Sequence, residues 1–362
     1  MALAPGELGE RIAAARREAG LTQGACAARA AIERSALGKI EIGARRVGAV
    51  ELARLADALD VRIEWFFEDA PASVVSRRNA AEAGAPNPLI DRSVERLARE
   101  VEFLQRIGPD LDLSTSPELA VPQTIQEAET AAGEARRMLG YGEGEPAVGL
   151  VERAAGLGLL VFSLALDEDA ADGASILLSR GGVALVNGSR ALGRRRLTLA
   201  HEVGHFLFAD EFSTDWLVAD DPTTNREARI DRFARALLLP ESALRSAWQR
   251  DEDTRTRAVL IASEYRVDMS TLSRRLSELG VASSAEATVV RSTRTKQADI
   301  VEHALLVPQD LAPPEFPDAY IRAVLNAYRS EEISAARAVG MLPETWSEDD
   351  LPDLPKLPEN AA

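Results

Sequence analysis

The stretch Leu197-Thr198-Leu199-Ala200-His201-Glu202-Val203-Gly204-His205-Phe206-Leu207-Phe208 constrains this chain more than any other. Its apolar flanks read as a buried helix. Two of the chain's three histidines stand on it four residues apart, with a glutamate directly after the first. Residues four apart share one face of an α-helix, one turn above each other. A buried imidazole pair needs polar partners, and two imidazoles so placed can grip one Zn²⁺ at about 2.0–2.1 Å. Glu202 is turned by about 100° from His201 along the helix. It therefore flanks such a metal and can accept a proton from a water the metal polarises.

A catalytic zinc needs a third protein ligand and an open fourth position. No third histidine follows closely. Residues 225–240 read as a second helix ended by Pro240, with Glu227 and Asp231 four apart on one face. One carboxylate as ligand and a second a turn further on would suit a site in which Asp231 orients a ligating imidazole. The other reading of Glu227 is an exposed helix charge paired with an arginine.

Arg-Arg-Arg-Leu-Thr-Leu-Ala-His-Glu-Val-Gly-His-Phe-Leu-Phe, followed by Glu-Ala-Arg-Ile-Asp-Arg-Phe-Ala-Arg-Ala-Leu-Leu-Leu-Pro, resembles the ImmA/IrrE metallopeptidases. Upstream, residues 173–189 match that family's strand, turn and strand ending in Val-Asn. The resemblance covers residues 123–282. It implies zinc held by His201, His205 and Glu227, with Glu202 as the base. Ile230 stands where the family usually has alanine, and Arg229 where another acid is common.

Residues 7–68 read as a separate all-helical unit. Leu8, Ile12 and Ala15 share a helical face, with Gly20 as a stop. Thr22 is a candidate N-cap for a short helix over 23–30. Helices over 34–41 and 50–59 follow, and Trp65, Phe66 and Phe67 close the core. Two short helices across a tight turn have helix-turn-helix geometry, in which the second helix enters the major groove. Gly20-Leu21-Thr22-Gln23, Ser35-Ala36-Leu37-Gly38-Lys39-Ile40-Glu41, Gly43 and Leu55-Ala56-Asp57-Ala58-Leu59 resemble the Xre/lambda-repressor type. That resemblance implies a phosphate contact from Gln23. It sets Glu33, Arg34, Ser35, Gly38 and Lys39 towards the groove, with Arg45 and Arg46 on the backbone beyond it. Phosphate contacts position such a domain and base-edge contacts specify sequence. Ala30-Ala31 replaces the usual glycine-containing turn. Residues 7–69 hold ten Lys/Arg against eleven Asp/Glu, so a protein-interaction or dimerisation module of the same shape is the competing reading.

The net charge of −16 excludes a generic polyanion binder, so any DNA contact is a local patch. One cysteine excludes an internal disulfide framework and fits a reducing, cytoplasmic setting. No apolar run reaches the ~18 residues of a membrane span. Residues 71–91 read as a flexible linker, and 89–107 as a connecting or dimerising helix through Val94, Leu97, Val101 and Leu104. Strands are expected at 159–162, 175–178 and 183–186, with a turn at Gly181-Gly182. Arg194 to Arg196 open the metal helix, where they oppose its dipole, and so are expected to point outward or pair with acids. The pair 255–265 and 270–279 has a second helix-turn-helix look; the metallopeptidase resemblance makes it a helical extension of the peptidase domain, with DNA contact through Arg274 and Arg275 as the lesser alternative. His303 reads as a structural histidine on a strand, and 318–340 as a helix pair. The acidic, Pro-rich stretch after Met341 reads as a disordered tail.

The fold expected is α+β. A helix-turn-helix domain spans 1–70 and a linker with a connecting helix 71–122. A mixed α/β zincin-like peptidase domain spans 123–282, and a helical extension with an acidic tail 283–362. The function expected is a DNA-binding regulator, homodimeric on operator DNA, with a zinc endopeptidase that cleaves a repressor-type protein or itself. The resemblance adds that such cleavage answers stress or mobile-element signals. The alternative is a non-catalytic or antitoxin-like DNA binder whose metal fold senses a ligand.

Overall fold

The computed structural model describes residues 5–19, 21–59, 63–67, 76–78, 88–111, 113, 119–167, 170–209, 226–306 and 308–354. The chain divides into two compact units, Met1–Pro71 and Ala72–Ala362.

The first unit contains α1 (Pro5–Glu18), α2 (Gln23–Arg29), α3 (Arg34–Glu41) and α4 (Ala49–Ala58). Ile12, Cys26, Leu37, Ile40, Leu52, Leu55, Leu59 and Phe66 form its core. Thr22 caps α2, its hydroxyl accepting from the Ala25 amide at 3.2 Å. The turn between α2 and α3 puts Ala31 at φ +52°, a left-handed conformation that alanine adopts at a cost. Phe67 is 51% exposed and does not help close the core, contrary to expectation. Gly20 and the Trp65 side chain lie outside what is described.

The second unit is built on a four-stranded mixed sheet of order β1-β3-β4-β2. Its strands are β1 (Ser76–Arg78), β2 (Leu159–Leu164), β3 (Gly173–Leu177) and β4 (Gly182–Asn187). β2 runs parallel to β4, whereas β3 is antiparallel to both β4 and β1. Strands buried on both faces read as continuous apolar runs, and alternate residues serve two cores. Leu160, Phe162, Ala174, Ile176, Val183 and Leu185 face one; Leu159, Val161, Ala184 and Val186 face the other.

The helices of this unit are α5 (Pro88–Ile107), α6 (Ile125–Met138), α7 (Leu150–Gly156), α8 (Leu192–Leu207), α9 (Arg226–Leu238), α10 (Glu241–Trp248), α11 (Thr254–Glu264), α12 (Met269–Glu278), α13 (Ser284–Ser292), α14 (Gln297–Glu302), α15 (Asp318–Arg329) and α16 (Ala335–Met341). α5 and α15 cover the first core, while α6, α8 and α9 cover the second. Val94, Leu97, Val101 and Leu104 are buried under the sheet. These four residues of α5 are therefore consumed by the unit's own core, so the stripe read as a connector or dimer seam is not free for either role. Part of the presumed linker, Ser76–Arg78, is likewise a sheet strand; the rest of 71–87 lies outside the described residues.

Three further expectations change. Arg275 of α12 is fully buried, binding Glu129 and the Leu239 carbonyl, so the possible DNA contact there is excluded, while α11 and α12 pack in the second core. His303 ends α14, exposed, instead of sitting on a strand. Beyond Met341, Leu342 is buried and Trp346 and Leu351 pack on the first core, so the stretch up to there is ordered by apolar contacts. Residues 355–362 lie outside the description. The arginines that open the metal helix do find partners: Arg194 pairs with Asp172, and Arg196 runs inward to Asp310 at 2.5 Å.

Candidate metal centre

α8 carries His201, Glu202 and His205 through the middle of the second core, and all three are buried. α9 crosses it closely. A Cβ at Gly204 would fall 3.0 Å from Phe233 Cδ1 and 3.1 Å from Ile230 Cγ2. Gly204 thus admits Ile230, the residue larger than the family's alanine, and lets the first turn of α9 reach the histidines.

That first turn supplies Glu227. His201 Nε2 and His205 Nε2 are 3.1 Å apart, and Glu227 oxygens lie 3.2 Å from the first and 3.7 Å from the second. One ligand atom from each residue falls within 4.8 Å of the others. Asp231, one turn along α9, has Oδ1 3.1 Å from His201 Nδ1. With a metal bound, an Nδ1–H donated to that carboxylate would leave the Nε2 lone pair facing the common point, whereas without one Nε2 can carry a proton to Glu227. Burial pushes the Glu227 carboxyl up, but hydrogen bonds from the His201 and His205 rings outweigh it and hold the group well below the usual carboxylate range. The histidine side chains are almost fully buried, whereas Glu227 and Asp231 are 38% exposed. Among the described residues, the site is therefore open on the α9 side.

Glu202 stands beside this cluster with its two oxygens in different states. Oε2 accepts a hydrogen bond from the Ser175 hydroxyl of β3 at 2.7 Å. Oε1 is buried and has no hydrogen-bond partner among the described residues, and neither has Thr198 Oγ, one turn earlier on the same face. A buried polar atom without a partner marks a place for something else to bind. Two imidazole nitrogens and one carboxylate form a donor set that fits zinc, with room left for a fourth ligand. The free Glu202 oxygen beside them is where a water on such a metal would be deprotonated.

Ser175 had not been singled out from the sequence. Its signal is weak but real: a hydroxyl inside the apolar strand Gly-Ala-Ser-Ile-Leu, only 4% exposed in the structure.

In the first unit, Arg34, Ser35 and Lys39 are exposed on α3, opposite buried Leu37 and Ile40. Glu33 occupies the N-cap position of α3 without a side-chain cap bond. Gly38 is half-buried, and Arg45 and Arg46 are exposed beyond the helix, Arg45 paired with Glu51 at 2.8 Å. Gln23 turns inward: its amide donates to buried Glu41 at 2.8 Å, next to a two-bond pairing from Arg16. Burial pushes the Glu41 carboxyl up, but these donors bring it below its ordinary value.

Residues 154–277 match the model of the IrrE N-terminal-like domain, a peptidase family, from the end of α7 into α12. Residues 7–64 match a helix-turn-helix domain. No curated protein and no solved structure matches the chain. By these matches, the chain joins a segment similar to a helix-turn-helix domain to one similar to the IrrE N-terminal-like peptidase domain.

Proposed function

We propose that the chain is a DNA-binding transcriptional regulator whose second unit is a zinc-dependent endopeptidase that cleaves a repressor-type protein and so relieves repression. The observation that carries this reading is the convergence of His201, His205 and Glu227 beside a buried glutamate oxygen that has no partner among the described residues. Zinc bound there would supply Lewis-acid chemistry, polarising the scissile carbonyl and a water. Asp231 holds the His201 ring in its ligating orientation. Ser175 anchors Glu202 Oε2, which leaves Oε1 to accept the proton from water and return it to the leaving amine. A separate repressor is favoured over self-cleavage, because a self-cleaving regulator is spent after one event. A homodimer on a palindromic operator, through Arg34, Ser35, Lys39, Arg45 and Arg46, completes the proposal. The family match supports a metallopeptidase; among the described residues, no helix is long and apolar enough to cross a membrane.

The test uses full-length zinc-loaded protein, alone and with cell extract, and maps new termini by mass spectrometry. A metal-dependent cut in a DNA-binding protein that disappears in Glu202→Gln, by at least ~10²-fold in rate, is the expected result. Operator binding without any metal-dependent cleavage would leave the non-catalytic sensor in its place. For the first unit, charge reversal at Arg34 or Lys39 is expected to weaken operator binding, and rising salt to weaken it in the unaltered protein. Salt-insensitive binding would favour a protein-interaction module.

A further inference from the structure

The edge of the sheet nearest Glu202 is already occupied, and its occupant comes from outside the matched peptidase segment. β2, β3 and β4 all lie within residues 154–277, whereas β1 comes from the start of the second unit, about 75 residues before that segment. β1 pairs antiparallel with the outer edge of β3, with Ser76 opposite Ser175, Arg77 opposite Ala174 and Arg78 opposite Gly173.

Those partners are the β3 residues that abut the buried carboxylate. Ser175 binds Glu202 directly. A Cβ at Gly173 would run into Thr198 Cγ2 and sit 3.4 Å from Glu202 Oε1, the oxygen without a partner among the described residues. The β1 backbone thus runs beside the two residues that flank the proposed base, and it comes within 8 Å, Cα to Cα, of α8.

A peptidase must hold an extended backbone beside its reacting groups, and an exposed sheet edge does this through main-chain hydrogen bonds that depend little on sequence. β1 is a backbone held in that way. With three residues it is shorter than a strand that persists by itself, so its hold on the edge is one that a competing strand can replace.

We propose that Ser76–Arg78 of the same chain, seated on the outer edge of β3, is an internal blocker of the strand along which this site would receive an extended peptide. This rests on the peptidase reading above. The ligand class is an extended peptide segment adding as an antiparallel strand, and access for another protein requires β1 to leave. A tethered segment competes at an effective concentration in the millimolar range, so an untethered peptide of the same sequence binds poorly while β1 is seated.

The experiment uses the metal-free full-length protein, so that cleavage cannot consume the probe. The probe is a fluorescent peptide of residues 72–81, followed by anisotropy. One variant carries Arg77→Pro together with Arg78→Pro. Along a strand, successive N–H groups point to opposite sides, so one of the two prolines must remove a pairing donor. Arg77→Ala with Arg78→Ala is the control that changes the side chains and keeps the backbone donors. The double-proline protein is expected to bind the peptide at least ~10-fold more tightly than the unaltered protein, with the double-alanine protein close to unaltered. Hydrogen exchange at residues 173–175 is expected to quicken in the double-proline protein and slow again with peptide, while 183–186 stay protected, which also shows that the sheet remains folded. Equal peptide affinity in all three proteins, or no binding to the double-proline protein, overturns the proposal. Because metal is absent, the result does not depend on catalysis. A peptide that binds and stays uncut after zinc loading is what a blocker would do, so the peptidase reading fails separately, on the absence of any metal-dependent cut in cell extract.

Discussion

Replacing Ser175 with alanine probes how the proposed base is held. The Ser175 hydroxyl donates to Glu202 Oε2 at 2.7 Å, and the carboxylate is fully buried with its other oxygen unpaired among the described residues. A hydrogen bond to a charged group contributes about 1.5–3 kcal/mol, and its loss inside a protein leaves the acceptor's desolvation uncompensated. Ser175→Ala is therefore expected to destabilise the metal-free second unit by about 1.5–3 kcal/mol. At about 1.4 kcal/mol per tenfold, the same loss of orientation predicts a fall of about 10–100-fold in cleavage rate. Zinc stoichiometry should not change, because Ser175 touches none of the ligands. The assay is urea unfolding of the full chain with hydrogen exchange read at residues 197–206, beside cleavage of the substrate found by terminus mapping. A variant with unaltered stability and an unaltered rate would refute the positioning role. Lost zinc would show that the damage had spread to the fold.

Two other perturbations test the packing around the sites. Ala31→Gly relieves the left-handed strain at φ +52°; set against the entropy glycine adds to the unfolded chain, it is expected to stabilise the first unit by up to about 1 kcal/mol, seen as a higher thermal midpoint, whereas a fall would mean that the turn is not strained. Glu129→Gln removes the carboxylate that bridges buried Arg275 and Arg232 and should cost about 2–4 kcal/mol at neutral pH. Burial pushes the Glu129 carboxyl up, but the bonds and charge of Arg275, with those of Arg232, bring it below its ordinary value. Its contribution is therefore complete above the ordinary carboxylate value and is lost as pH falls through the lowered one. The gap between Glu129→Gln and the unaltered protein should close in that acid range, as read by urea unfolding at several pH values, and a gap independent of pH would exclude the ion pair as its cause.

The residues of the site were legible wherever helical spacing alone sets geometry. His201 and His205 share a face because they are four apart, and Glu227 and Asp231 share one for the same reason. What decides that the two faces meet is the close crossing at Gly204, and that was readable only through resemblance. Pairings between distant segments were not legible. Ser175 reaches Glu202 across 27 residues, and β1 reaches β3 across about a hundred, from a Pro- and Ala-rich segment whose composition signals a linker. Arg275 illustrates the opposite failure. A charged residue on a short helix reads as surface until Glu129, 146 residues away, provides the partner that lets it be buried. The amphipathic stripe of α5 was read correctly as a stripe, but its periodicity carries no information about which surface covers it.

The most direct measurement for the central claim is zinc content and affinity of the full-length protein after dialysis against a competing chelator. One zinc per chain is expected in the unaltered protein and in Glu202→Gln, since Glu202 flanks the metal without binding it. His201→Ala and His205→Ala should lose tight binding, and Glu227→Gln should bind at least ~10-fold more weakly, because a neutral amide is a poor replacement for a carboxylate ligand. Unaltered affinity in Glu227→Gln would remove Glu227 from the ligand set, and an unaltered protein that retains no zinc would contradict the metal centre itself.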